Sequence, residues 1–121
     1  MASANQNRSP ATPLTYHLAD VEKRAAQNQS FQIPSLAERR SIPVGHFAKL
    51  VFCDITAEGA QPAAERMWVE IIAYVMFDER QAYVGHLANH PELIEGLRFD
   101  DSVVFEPKHV AAIVDPADLE I

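Results

Sequence analysis

The sequence predicts an α+β domain: a small antiparallel β-sheet, curled towards an SH3-like or partly open barrel, with two short N-terminal helices. Three features predict it. Four segments of strand length, 46–53, 66–77, 81–89 and 102–107, are rich in the apolar, β-branched and aromatic residues that strands favour. The segments are joined by a hairpin or by short loops, and antiparallel neighbours need nothing longer. The two helix-capping candidates, Asp20 and Ser35, both precede the first of those segments.

Residues 1–13, MASANQNRSPATP, read as a flexible tail, being rich in Ala, Ser, Asn and Pro. Residues 14–114 form one β-rich domain, and 115–121 a polar C-terminal end. Within the domain, 18–28 (LADVEKRAAQN) place Leu18, Val21 and Ala25 at helical spacing behind Asp20. Ser35 and Glu38 have the S-x-x-E spacing of a capping box, predicting a turn or two of helix over 36–40.

From Gly45 onward the period changes. Residues 46–53 (HFAKLVFC) alternate in part. Residues 66–77 (RMWVEIIAYVMF) give the best strand, with Met67, Val69, Ile71, Ala73 and Val75 expected on the core face. Asp78, Glu79 and Arg80 predict a tight hairpin into 81–89 (QAYVGHLAN). Gly85 suits a close approach or a bulge, and Gly96 with Asp101 marks a turn before the strand SVVFEP at 102–107. Residues 108–114 (KHVAAIV) fit either a last strand or a short helix.

Apolar residues make up 48% of the 121-residue chain and charged residues 22%, a balance that fits a single hydrophobic core. No apolar run approaches the roughly 18 residues of a membrane span. The N-terminal segment lacks the apolar centre of a signal peptide, which predicts a cytoplasmic protein. The one cysteine, Cys53, excludes an intrachain disulfide, and its place at the end of an apolar strand predicts burial. A formal charge of −7 disfavours nucleic acid and anionic membranes, whose binding depends on clustered Lys and Arg. The longest basic cluster is Arg39-Arg40.

His86 and His90 lie four residues apart, as two zinc ligands on a helix would. On a strand that spacing holds them about 13 Å apart, too far for one metal ion. Tyr83, Val84 and Gly85 favour the strand, so no metal is assigned. Neither a phosphate-binding loop, a dinucleotide fingerprint nor a nucleophile elbow is present, so no catalytic residue and no cofactor is assigned either. Glu65 and Arg66 predict a salt bridge at a strand entrance, and Trp68 a large anchor whose indole N–H needs a partner if buried.

The order ERMWV at 65–69, then Gly85, Leu87, Asn89 and Pro91, then Gly96, Leu97 and Asp101, then Val104, Glu106 and His109, resembles the YegJ-like group of bacterial domains of unknown function. The resemblance spans about residues 14–112. It departs at Gly45-His46, where relatives have Gly-Asp, and at AAIV, where many have Ser-Asp-Trp. It implies a compact β-rich bacterial domain and carries no activity or cofactor with it.

The functional expectation is a non-catalytic protein-interaction module, of accessory or immunity type, acting as a monomer or homodimer on an unidentified protein partner. Its binding-surface candidates are Glu65, Arg66, Trp68, Asn89 and His109. The alternative is a small-molecule-binding domain or minor hydrolase with a pocket near Trp68 and His109.

Overall fold

The computed structural model describes residues 14–55 and 63–118. The predicted tail, residues 56–62 of the loop between the first two predicted strands, and the last three residues lie outside the described residues. The chain builds a curled antiparallel sheet, an open half-barrel with few helices.

The first strand, β1 (Tyr16–Leu18), runs antiparallel to β2 (Phe47–Asp54), pairing Tyr16 with Asp54 and Leu18 with Phe52. This corrects the expectation that Leu18 begins a helix. Helix α1 (Val21–Gln27) starts later because Asp20 caps it, its carboxylate accepting from the Lys23 N–H at 3.1 Å. Helix α2 (Leu36–Arg39) opens on a reciprocal capping box. The Glu38 N–H donates to Ser35 Oγ at 3.1 Å, and the Ser35 N–H donates to Glu38 Oε1 at 2.9 Å.

Strand β3 (Ala64–Phe77) pairs with β2 through residues 64–70 and with β4 (Arg80–Leu87) along most of its length. The order continues to β5 (Ser102–Phe105), which pairs with β4 from Tyr83 to His86. Residues 107–114 satisfy both expectations in turn. A 3₁₀ turn, Pro107–His109, is followed by β6 (Ala112–Val114), which joins β2 on the side that β1 uses further along.

The predicted alternation of β3 holds only as far as Ile71. Ile71 is opposite Gly85 and Ala73 is opposite Val84, so Ile72 is an extra residue, a β-bulge. One inserted residue inverts the phase, because strand side chains alternate with period two. Met67, Val69 and Ile71 are therefore buried as expected, whereas Ala73 and Val75 leave the core face. Tyr74 takes that face instead, stacked on its partner Tyr83.

Gly85 makes room opposite the bulge. A Cβ there would collide with Val69 Cγ1 and lie 2.8 Å from the Glu70 carbonyl oxygen. The hairpin closes through Asp78 and Glu79, whose φ values of 49° and 71° give the left-handed two-residue turn that matches strand twist. The core fills the concave side: Leu50, Phe52, Val69, Ile71, Tyr83, Leu87 and Phe105 from the sheet, closed over by Ile42, Ile94, Leu97 and Val110. Each such side chain contributes roughly 1.5–3 kcal/mol through burial.

Candidate functional site

Four of the five candidate residues meet at one end of the β3–β4 pair, and their contacts give three of them structural work. The Glu65 carboxylate accepts from the backbone N–H groups of Glu92, at 2.9 Å, and Leu93, at 2.9 Å. It thereby pins the loop after β4. The Glu65 carboxylate is engaged by these amides, in place of the expected salt bridge with Arg66. Asn89 Oδ1 accepts from the Trp68 N–H at 2.6 Å, while the Ala88 N–H donates to the Trp68 carbonyl at 2.9 Å. Together they extend the sheet past the end of β4.

Trp68 is half-buried on the convex face, opposite Lys49, whose ammonium sits 5.0 Å from the ring centroid. That is cation–π distance. Arg66 is exposed, opposite Val51.

His109 lies elsewhere, on the 3₁₀ turn beside the gap between the edge strands β1 and β5. Its Nδ1 accepts from the Glu106 N–H at 2.9 Å, leaving Nε2 as the nitrogen that can carry the proton of the neutral ring. Burial holds its pKa below the ordinary value, helped by Lys108 and opposed by Glu106, Asp20 and Glu22. His109 lines a cavity of about 450 Å³ with Leu14, Tyr16, His17, Leu18, Ser102 and Val104. Trp68 is not in that lining.

The other singled-out residues have separate surroundings. His86 faces Asp100 at 3.6 Å, and His90 stacks on Phe99 with centroids 4.8 Å apart. Among the described residues, no group of three or more His, Cys, Asp and Glu side chains is placed to hold a metal ion. Cys53, expected to be buried, is only partly so: it alternates with the core residue Phe52 and therefore lies on the other face of β2, opposite His17 and Ala64.

Two features were not anticipated. Arg39 is buried, with Nε donating to the Pro34 carbonyl at 2.9 Å and Nη1 to Glu22 at 2.6 Å and to the Pro107 carbonyl at 3.0 Å. It ties α1, α2 and the 3₁₀ turn together. The second is the outer half of the β3–β4 hairpin. On the side away from β4, β3 is bonded as far as Ile71, which exchanges 2.9 Å hydrogen bonds with Gly45 and His46. Beyond it no described strand pairs with that edge.

Tyr74 is 52% exposed and Met76 66% exposed on this free edge, and Ile72 is also exposed. Tyr74, Val75, Met76 and Gln81 line an open hollow of about 390 Å³. The signal was present in the sequence as IIAYVMF, seven residues without a charge at 71–77. Strict alternation hid it by assigning Tyr74 and Met76 to the wrong face.

Comparison with protein-family models, with curated proteins and with solved structures gives no match to this chain.

Proposed function

We propose that the chain is a non-catalytic protein-interaction module whose contact surface is the projecting β3–β4 hairpin. The observation that carries this reading is the coincidence, over residues 72–77, of a strand edge that is unpaired among the described residues with exposed Tyr74 and Met76. Natural sheets blunt such edges with charges, proline or a covering element. Residues 71–77 contain neither a charge nor a proline. Aromatic residues and methionine are the types enriched at protein interfaces.

The reading takes the half-barrel as an SH3-like scaffold of the YegJ-like kind, working in the cytoplasm without a cofactor. It moves the contact surface away from Glu65 and Asn89, whose polar atoms already serve backbone amides. The test is native purification with cross-linking from the source cell, using the wild-type chain and Tyr74→Lys. The reading expects a specific protein retrieved by the first and lost by the second. Retrieval of no specific protein by the wild type, its own copies included, would overturn it.

A second reading places a small uncharged ligand in the cavity beside His109. It is supported by the ring's geometry: Nδ1 is engaged by Glu106, and a neutral ring offers Nε2–H as a donor. Ligand-induced shifts of the His109 and Ser102 NMR resonances would support it. A screen that leaves both unmoved would remove it.

A further inference from the structure

We infer that the occupant of the free β3 edge is a second copy of this chain, paired edge to edge about a two-fold axis through Val75. The inference rests on the interaction-module reading and names its partner.

The backbone geometry comes first. In a hairpin with a two-residue turn, the flanking residues Phe77 and Arg80 are a hydrogen-bonded pair, and hydrogen-bonded pairs alternate along the ladder. Val75 and Ala73 therefore bond to β4. Tyr74 and Met76 turn their N–H and C=O groups the other way, to the unpaired edge. These two residues are also the most exposed of the large apolar side chains described on this strand.

Charge then selects the partner. The molecule carries −7 overall, yet residues 71–77 carry no charge at all. A basic partner drawn by the net charge would find nothing to pair with here. A second copy meets this stretch without repulsion, and β-edges of identical sequence are self-complementary when antiparallel.

The register follows from the flanking acids. With Tyr74 on the axis, Asp78 would oppose Glu70 of the second copy, and like charges directly opposite are destabilising. With Val75 on the axis, Asp78 opposes Ile72 instead. Tyr74 then faces Met76 of the second copy, each exchanging both hydrogen bonds, and the thioether packs against the phenol ring. The β2 pairing stops before the bulge at Ile72, which leaves this length of β3 open to the second strand.

Sedimentation velocity of the full chain between about 1 µM and about 1 mM tests the inference. The wild type is expected to pass from monomer to dimer. Met76→Pro removes an edge N–H that has no partner among the described residues, and Tyr74→Lys places a charge at the interface; each is expected to raise the dimer dissociation constant at least about tenfold. Leu93→Lys, an equal charge change at an exposed residue off the edge, is expected to leave it within about twofold. Circular dichroism of each variant confirms that it is folded.

A wild-type chain monomeric throughout, or a dimer that both edge variants leave intact, overturns the inference. If such a chain still captures another protein that Tyr74→Lys loses, the interaction-module reading stands with a different partner. If it captures none, both fall.

Discussion

The Tyr74 ring stacks on the Tyr83 ring across β3 and β4, their centroids 5.5 Å apart and planes 21° from parallel, although Tyr74 is half exposed and Tyr83 wholly buried. The pair marks where the core ends. Tyr83 continues inward to Phe105, 5.3 Å away, while Tyr74 sits beyond the bulge, on the part of β3 that β2 does not reach. One extra residue at Ile72 thus turns a core strand into an exposed edge.

The Tyr83 hydroxyl donates to the Arg39 carbonyl at 2.7 Å and accepts from the Ile42 N–H at 3.2 Å. Tyr83→Phe keeps the ring stacking but leaves both backbone groups without that partner in a buried place. A loss of about 1–3 kcal/mol is expected, the cost of an unsatisfied buried group, read by urea denaturation. An unchanged midpoint would show that the phenol does not hold α2 to the sheet.

Gly85→Ala tests the close approach opposite the bulge. The new Cβ would strike Val69 and the Glu70 carbonyl oxygen, a collision with backbone that a rotamer change cannot relieve. Overpacking of this kind costs about 1–3 kcal/mol. Thermal unfolding of the variant should show a lowered midpoint, and an unaltered one would contradict the packing described.

These two positions show what was legible in the chain. Gly85 stood out because glycine inside a strand pattern signals a bulge or close approach, and the caps Asp20 and Ser35 stood out because their chemistry is local. The bulge itself was not legible. Ile72 is an ordinary strand residue, and only its pairing partner shows that it is extra. Strand β1 was missed for the same reason, since three residues carry no period and are strand only because β2 accepts them. Of the candidate residues, Glu65, Asn89 and His109 make specific contacts within the chain. The sequence could not show that these contacts are with backbone amides of Glu92, Leu93, Trp68 and Glu106, because those partners are set by the fold.

Arg39→Met should destabilise the fold by about 1–3 kcal/mol, since it strips a donor from the Pro34 and Pro107 carbonyls. Glu22 is partly exposed and can turn to water, so its share is small. Arg40→Met, at the exposed neighbour, serves as the comparison in the same denaturation series. Equal losses at the two positions would contradict the assigned role.

His109 makes the fold sensitive to acid. Its folded pKa is depressed by burial, then by Lys108, so the folded state favours the neutral ring. That contribution is fully present above the unfolded value of about 6.5 and is lost as pH falls through the lower folded value. His109→Asn, which can keep an acceptor for the Glu106 N–H without a titrating ring, should flatten stability against pH below about 6.5. A variant with the wild-type slope in that window would assign the acid sensitivity to other groups.

Amide hydrogen exchange along β3, followed by NMR across a concentration series, tests the free edge most directly. At the lowest concentration the Ala73 and Val75 amides, bonded to β4, are expected to exchange slowly, and those of Tyr74 and Met76 quickly. As concentration rises, Tyr74 and Met76 should become protected while Ala73 and Val75 do not change. Slow exchange at Tyr74 and Met76 even in the most dilute sample would mean that the edge is already covered within one chain, and would contradict the account.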